Sequence, residues 1–295
     1  MIAFEPISGV SDLAELSFAA NQIWNIATTK SALGENTIVS ICGGSCTGKS
    51  TQIARGLLNI FDRQAQVISQ DHFMLASIEN DMVSDSYRWD HPDSFNLTES
   101  ARIMDQLRKG TSCVMPFYSF KTRRCKGIVR LNSTAIVLFE GLYAGYDFLR
   151  KHADYVIYVE MPLYARMTRR LVRNMYERYT RSDPQSILES YLNAPLKAHM
   201  EFVITQRDGS DIVLKPEYDF PNTINKFNLQ SQSWTENSNS EIFFTFISGD
   251  DLRIEIRETK GSFCFVLSHK RQVYLQFPIE KSTFEKLAGL DFYAV

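Results

Sequence analysis

The chain has 295 residues, of which 44% are hydrophobic and 22% charged. This composition is typical of a globular protein and excludes wholesale disorder, collagen and coiled coil. Its 32 basic and 34 acidic residues give a net charge of -2, which argues against a protein whose main task is to hold nucleic acid. The length predicts one large domain, or a main domain with an appendage.

Hydropathy and cysteine usage indicate the compartment. No apolar run approaches the roughly 18 residues that cross a bilayer, and no basic start precedes an apolar N-terminal stretch. We therefore expect no membrane partner and no secretory signal. The five cysteines form no CxxC pair, a usage typical of reduced thiols rather than of disulfides or a zinc site. The expected location is the cytoplasm.

Strand and helix patterns alternate along most of the chain. Helical spacing predicts an amphipathic helix over residues 12–30. The predicted strands are 36–42, 66–69, 136–139, 155–159 and 211–214, and the predicted helices include 51–61 and 165–181. Such alternation indicates an α/β fold of three layers, α/β/α, with a parallel sheet covered by helices on both faces.

The pattern changes near Pro221. A stretch rich in Asn, Ser, Gln and Thr comes first, and four β-type runs separated by turn residues follow it, at 241–247, 252–257, 262–267 and 272–277. A short helix is predicted at 282–287. We interpret this region as a small C-terminal antiparallel β appendage. The predicted segments are an N-terminal helical segment (1–34), an α/β domain (35–220) and a β subdomain (221–295).

One motif carries most of the chemistry. GGSCTGKS fits the phosphate-binding P-loop pattern G-x-x-x-x-G-K-[ST]. Glycines let backbone N–H groups surround phosphate oxygens, and the following helix adds its positive end. Lys49 is expected at the β- and γ-phosphates and Ser50 at Mg²⁺. The predicted nucleotide contacts are Gly43, Gly44, Ser45, Cys46, Thr47, Gly48, Lys49, Ser50 and Thr51. The alternative, a glycine-rich turn without nucleotide, is disfavoured by the position between a strand and a helix.

Two acidic residues follow predicted strands. Asp71 closes the second strand and Glu140 closes the strand at 136–139. Because the carboxyl ends of parallel strands meet at one edge of the sheet, both carboxylates are expected beside the P-loop. Asp71 is placed to take a proton from an acceptor hydroxyl, and Glu140, with Asp71 nearby, to hold the metal. The alternative for each is a capping carboxylate.

The predicted helix at 165–181 is strongly basic. Arg166, Arg169, Arg170 and Arg173 recur at i, i+3, i+4 and i+7, and so share one face. We expect a lid that closes over polyphosphate. A solvated basic face or an RNA-binding stripe is the alternative, the latter disfavoured by the net charge.

Further motifs accompany the P-loop in a set order between Ile38 and Leu214. They are SQDHF at 69–73, DHPDSF at 90–95, PFYSF at 116–120, LFEGL at 138–142, RRLVR at 169–173 and SDIV at 210–213. In this ordered set the chain resembles the uridine kinase and phosphoribulokinase family of P-loop small-molecule kinases. The resemblance implies ATP and Mg²⁺ as cofactors, with transfer of the γ-phosphoryl group to a hydroxyl of a small molecule.

The resemblance also implies residue roles. Asp71 matches the family's catalytic base, Glu140 its metal-site acid, and Asp90 the aspartate that holds sugar hydroxyls. The remaining matches are aromatic and basic side chains around the substrates: Tyr118 and Phe120 near the nucleobase, and Arg169, Arg173 and Arg178 as lid and substrate arginines.

Several positions depart from the uridine kinase pattern. Met74 replaces a Tyr, Arg123 replaces a base-reading His, and Asn174 replaces a lid Asp. Glu189 replaces a nucleoside-binding Gln, and an Arg-Gly-Arg sequence is RYT at 178–180. These changes affect base and ribose contacts while the phosphate machinery is kept, which indicates an acceptor other than uridine or cytidine.

A basic cluster accompanies those changes. Arg123 lies beside Arg124 and Lys121, which favours an acceptor bearing a carboxylate or phosphate. A hairpin tip with solvated charges is the alternative.

The overall prediction is an ATP-dependent small-molecule kinase without nucleic acid as partner. The alternatives are a genuine uridine/cytidine kinase, a phosphoribulokinase-like enzyme for a phosphorylated or acidic substrate, a non-catalytic ATP-binding regulator, and, least favoured, a nucleic-acid-processing P-loop protein. The β appendage is interpreted as a small packed sheet, with homo-oligomer formation or allosteric regulation left open.

Overall fold

Contacts divide the chain into two compact units. The computed structural model describes residues 13–75, 90–119, 121–122, 124–178, 183–231, 241–248 and 251–294. The first unit is Met1–Met161 with Asn193–Glu217, and the second is Pro162–Leu192 with Tyr218–Val295. The borders expected at residues 34 and 220 stay predictions. The contacts group the arginine-rich segment with the C-terminal residues, which sequence order alone does not indicate.

The order of elements follows the predicted alternation and then the meander. In chain order they are α1 (Leu13–Ala32), β1 (Thr37–Gly43), α2 (Arg55–Phe61), β2 (Ala65–Ser69), α3 (Leu97–Arg108), β3 (Cys113–Ser119), β4 (Arg124–Leu131), β5 (Ile136–Glu140), α4 (Asp147–Arg150), β6 (Tyr155–Val159), α5 (Leu163–Arg173), α6 (Pro184–Asn193), α7 (Pro195–Ala198), β7 (Ile212–Leu214), α8 (Phe220–Phe227), β8 (Glu241–Ile247), β9 (Leu252–Thr259), β10 (Ser262–His269), β11 (Gln272–Ile279) and α9 (Lys281–Ala288).

The first unit is built on a parallel sheet of strand order β2-β5-β1-β6-β7. Successive side chains of a strand point to opposite faces, and β1 is buried on both. Its Ile38 and Cys42 belong to a core that includes α3, whereas its Val39 and Ile41 belong to a core that includes α1 and α2. The predicted three-layer fold is confirmed.

The second unit contains the predicted antiparallel sheet, in the order β11-β10-β9-β8. Ile254, Ile256, Phe265 and Leu267 are buried on one face. The ring of Phe263 stacks on Phe284 of α9 with centroids 4.5 Å apart. The appendage therefore has a hydrophobic core of its own.

Some helix boundaries differ from those predicted. The helix expected over 51–61 starts as a π-helical turn at Lys49–Ala54, and the helix expected over 165–181 runs as α5 to Arg173 and then as a π-helical turn to Arg178. Part of the polar stretch after Pro221 is helical, because the Asp219 side chain accepts a hydrogen bond from Asn222 N and caps α8. Among the helices that the structure describes, none is both long and apolar enough for a membrane span.

Candidate nucleotide and acceptor site

The P-loop connects β1 to the π-helical turn that begins at Lys49. Gly43 has φ of 135°, and a Cβ there would collide with the carbonyl oxygen of Val159 on β6. Gly48 has φ of 97°, and its carbonyl accepts the first helical hydrogen bond, from Gln52 N at 2.8 Å. Left-handed or strained backbone at both positions requires glycine. The loop therefore has the conformational freedom that a phosphate cradle needs.

Lys49 lies inside the loop. Its side chain is buried, and Nζ donates a hydrogen bond of 2.7 Å to the carbonyl oxygen of Gly44. Burial lowers the pKa of Lys49, while the carboxylates of Glu140 and Asp71 favour its charged form. Lys49 therefore lies close enough to both predicted acidic residues for their charges to act on it.

Glu140 closes β5, between the ends of two neighbouring strands. It pairs in register with Ile41 of β1 and Ser69 of β2. Ser50 Oγ donates a hydrogen bond of 2.9 Å to Glu140 Oε2. Burial and the nearby charge of Asp71 raise the pKa of Glu140, and Lys49 opposes the shift. The structure therefore brings the P-loop, Glu140 and Asp71 together at one edge of the sheet, where the sequence places them.

The donor set fits a hard divalent cation. Mg²⁺ is typically held by one or two carboxylates together with substrate phosphates, and the Ser50 hydroxyl and Glu140 carboxylate are oxygen ligands in contact. Burial and, after it, the charge of Asp71 raise the pKa of Glu140, and a cation bound there would favour the ionised carboxylate. Ser50 and Glu140 would hold Mg²⁺, with Asp71 beside them.

Asp71 lies in a 3-10 turn, Gln70–Phe73, directly after β2. The residues after this turn pair with a second loop: Met74 forms a β-bridge with Phe95, and Asn96 N donates to Phe73 O at 2.8 Å. This pairing brings the loop that starts at Asp90 alongside the Asp71 turn. Asp90 itself is 9% exposed.

The hairpin β3–β4 supplies another wall. The ring of Phe117 lies 5.2 Å from that of His72, next to Asp71. Tyr118, the following residue, is buried. The predicted acceptor residues Asp90 and Tyr118 therefore belong to segments that contact the Asp71 turn. Phe120 and Arg123 lie outside the described residues, and their roles stay predictions.

Two residues that the sequence did not single out organise this region. Gln70, fully buried, accepts a hydrogen bond of 2.8 Å from the backbone N–H of Tyr143. The Tyr143 hydroxyl donates to the backbone carbonyl of Asp90. Gln70 lies within the SQDHF motif, but sequence patterns assigned neither residue a role, because both act through contacts distant in sequence.

The predicted lid arginines belong to the second unit. The Arg169 guanidinium lies over the ring of Tyr218, 5.1 Å from its centroid, and Arg173 closes α5. The backbone of Arg178 ends the following π-helical turn, but its side chain lies outside the described residues. The lid role of Arg169, Arg173 and Arg178 stays a prediction.

Fold and site define an α/β protein with a P-loop and with two carboxylates at the same edge of the parallel sheet. The model of the Phosphoribulokinase / Uridine kinase family matches residues 38–218. The chain belongs to this family. A uridine kinase of Clostridium novyi is 29% identical over 183 residues, covering 60% of this chain and 86% of that protein.

Other relatives are longer. The uridine/cytidine kinase UKL1 of Arabidopsis thaliana, named as chloroplastic, is 28% identical over 182 residues, or 60% of this chain, but this chain spans only 37% of its length. Among solved structures, YFH7 of Saccharomyces cerevisiae has a TM-score of 0.52 at 12% identity, covering 69% of this chain and 99% of that one. This similarity concerns the fold alone.

Proposed function

We propose that the protein is an ATP-dependent kinase that transfers the γ-phosphoryl group to a hydroxyl of a small molecule. The observation that carries the proposal is the convergence of Lys49, Ser50, Glu140 and Asp71 at the carboxyl edge of three adjacent strands. Phosphoryl transfer depends mainly on positioning and on charge compensation, and this edge supplies both.

Each residue has a defined task in this proposal. The loop amides and Lys49 bind the β- and γ-phosphates, and Ser50 and Glu140 hold the Mg²⁺ that compensates phosphate charge when bound. Asp71 accepts the proton of the acceptor hydroxyl as that oxygen attacks the γ-phosphorus, while the bond from phosphorus to the bridging oxygen breaks and ADP leaves with the electron pair. Asp90 orients the acceptor.

The arginines of α5 are proposed to bind phosphate oxygens. Arg166 supports this role, since its side chain is 1% exposed and its Nε and Nη2 atoms have no hydrogen-bond partner among the described residues. Buried guanidinium nitrogens without an acceptor are costly, and a phosphate group would supply acceptors for these two atoms. Arg169 and Arg173 lie on the same face by their spacing.

For the acceptor, we propose an alcohol that carries a carboxylate or phosphate rather than uridine or cytidine. Glu189, which aligns with a nucleoside-binding Gln, instead accepts hydrogen bonds from Gln185 Nε2 at 3.1 Å and Thr283 Oγ1 at 2.7 Å. Both partners belong to the second unit, so Glu189 has a role in holding that unit together. The basic residues Lys121 and Arg124 at the tip of the β3–β4 hairpin are exposed and suit an anionic acceptor.

A screen of ADP release tests the proposal. Purified protein with Mg²⁺ and ATP would be offered uridine, cytidine, sugar phosphates and hydroxy acids, with Lys49→Ala as the inactive control. We expect acceptor-dependent ADP release with an anionic alcohol. ADP release with uridine or cytidine alone would contradict the proposed acceptor class but would still support the proposed kinase activity.

A non-catalytic ATP-binding regulator is the second candidate. Tight ATP binding without phosphorylation of any acceptor would favour it over the kinase. The presence of both Asp71 and Glu140 argues against it, because a protein that only binds ATP does not need a base for an acceptor hydroxyl. A homo-oligomer is likewise a proposal, which sedimentation of the full chain would test.

A further inference from the structure

The arginine helix α5 lacks a cap of its own. Its N-cap residue is Pro162, which has no side-chain acceptor to offer the first turn. The first N–H groups of a helix have no partner within the helix and need acceptors from elsewhere. Buried N–H groups left without one would destabilise this turn.

A distant segment of the chain supplies the acceptors. Leu163 N donates to the carbonyl oxygen of Ala294 at 2.8 Å, and Tyr164 N donates to that of Phe292 at 3.0 Å. Both carbonyls lie in segment 291–294, more than a hundred residues away along the sequence. Backbone carbonyls of this segment therefore cap the helix that carries the lid arginines.

The segment is itself held in place. The Asp291 carboxylate accepts a hydrogen bond of 2.9 Å from Tyr293 N, and the Tyr293 hydroxyl donates to Ile247 O at 3.0 Å. Phe292 is 3% exposed, and its ring stacks on Phe246 of β8 with centroids 5.3 Å apart. The capping carbonyls thus have a defined position relative to the β8–β11 sheet.

Aromatic packing fixes the same end of the helix from the side. The ring of Tyr164, in the first turn of α5, lies 4.9 Å from Phe246 and 6.0 Å from Tyr293. One turn later, Arg169 lies over Tyr218. The turn after α5 is attached as well, since Lys226 Nζ of α8 lies 3.0 Å from Glu177 Oε1.

We propose that segment 291–294 is a positioning element for the lid arginines, and that the C-terminal sheet holds this segment, and through it α5, in place. By capping α5, the segment determines the direction in which Arg169 and Arg173 extend. The inference rests on the proposed function, in which these arginines bind ATP phosphates. It assigns the β appendage to the phosphoryl-transfer machinery rather than to a separate binding module.

The test uses a chain that stops at Phe292, which retains the buried aromatic ring but removes Tyr293 and the carbonyl that caps Leu163. Thr283→Val is the matched control, because it breaks the contact of α9 with Glu189 and leaves the cap of α5 intact. Amide hydrogen exchange of residues 163–173 reports on the helix. A binding assay with Mg²⁺ and ATP reports on the lid.

In the shortened chain we expect faster exchange throughout α5 and a Kd for ATP raised about tenfold, the value of one charge-assisted hydrogen bond. Thr283→Val should change neither the hydrogen exchange of α5 nor the Kd for ATP. Combined with Arg169→Ala and Arg173→Ala together, the truncation should add little to the effect on Kd, because it acts through those two side chains. Unchanged exchange of α5, or fully additive effects on Kd, would overturn the inference.

Two outcomes distinguish the lid role of the arginines from the positioning role of segment 291–294. If Arg169→Ala and Arg173→Ala together leave ATP affinity unchanged, the lid role of these arginines in the proposed function is wrong, and with it the role assigned to the segment. If the two substitutions together weaken ATP binding and the truncation does not, the lid stands and the positioning element is refuted.

Discussion

Tyr143 and Gln70 are joined by a hydrogen bond of 2.8 Å from the tyrosine backbone N–H to the glutamine side-chain oxygen. Gln70 directly precedes Asp71, and Tyr143 follows Glu140 by three residues. The Tyr143 hydroxyl continues the connection to the backbone carbonyl of Asp90. One buried tyrosine therefore links the turn of the proposed base, the turn after the proposed metal carboxylate and the loop of the proposed acceptor ligand.

Tyr143→Phe should weaken acceptor binding and leave ATP binding unchanged. The variant keeps the ring but removes the donor to Asp90 O, at a cost of about 1 kcal/mol in stability. Steady-state kinetics should show a raised KM for the acceptor and an unaltered KM for ATP. Tyr146→Phe is the control, since that hydroxyl makes no hydrogen bond to a described residue and its ring lies 5.8 Å from that of Tyr143. Equal effects in the two variants would refute the specific role.

Asp71→Asn should abolish most phosphoryl transfer while ATP still binds. General-base catalysis contributes roughly 10²–10⁴-fold, and asparagine cannot take the proton. Single-turnover phosphorylation of an acceptor identified in the screen measures the loss, and a fluorescent ATP analogue measures the affinity. Activity near that of the parent would show that Asp71 is not the base.

The cysteines should differ sharply in reactivity. Burial raises the pKa of Cys42 to about 12, so its thiolate is scarce at pH 8. Cys46 lies half-buried in the P-loop, and Cys125 is exposed on β4. Alkylation followed by peptide mass spectrometry should label Cys125 first and Cys42 last. Mg²⁺ and ATP should protect Cys46 several-fold and leave Cys125 unaffected; loss of protection at Cys46 would speak against nucleotide in the loop.

Gly43→Ala should be far more damaging than Gly34→Ala. Both glycines have positive φ, for which a side chain costs roughly 1–2 kcal/mol. At Gly34 an added Cβ meets open space, whereas at Gly43 it collides with the backbone of Val159. Chemical denaturation should give the modest cost for Gly34→Ala and a clearly larger one for Gly43→Ala, together with loss of ATP binding. Similar losses of stability in the two variants would mean that the P-loop backbone can shift to accommodate the added Cβ.

Glu160 should make stability depend on acid pH. Burial opposes its ionisation, but hydrogen bonds from Lys215 and Arg207, both at 2.6 Å, outweigh burial and lower the pKa of Glu160 below 4.5. A carboxyl group whose pKa is lower in the folded chain than in the unfolded chain stabilises the fold at pH values above its unfolded pKa. This stabilisation is lost as the pH falls through the folded pKa. Thermal melting should therefore show the parent more stable than Glu160→Gln at pH 7. The difference should narrow below pH 4.5, and a constant difference would contradict the ion-pair account.

Local patterns were sufficient for much of the fold. The strand at 155–159 and the strand at 241–247 have the predicted bounds, because short β-branched or aromatic runs reveal buried strands. The helix α8 escaped prediction, since its Asp219 cap and early Pro221 are short-range signals within a polar stretch that otherwise indicates a loop.

Some residues of the candidate site could likewise be predicted from local patterns, and others could not. The P-loop residues, Asp71 and Glu140 were predictable because each lies at a strand end, and strand ends of a parallel sheet share one edge. Gln70 and Tyr143 were not, since they are 73 residues apart and their hydrogen bond exists only once β2 and β5 are paired.

Short-range patterns in the sequence were enough for the class of fold and for the phosphate-binding loop, because the P-loop glycines and Lys49 are close together in the chain and each acidic residue directly follows a strand pattern. The contacts made by the end of the β appendage could be seen only in the folded chain. The first turn of the arginine helix takes its acceptors from Phe292 and Ala294, and no local pattern records a backbone hydrogen bond made across more than a hundred residues. Such bonds depend on the packing of the whole unit, which sets the distance between groups that the chain order separates.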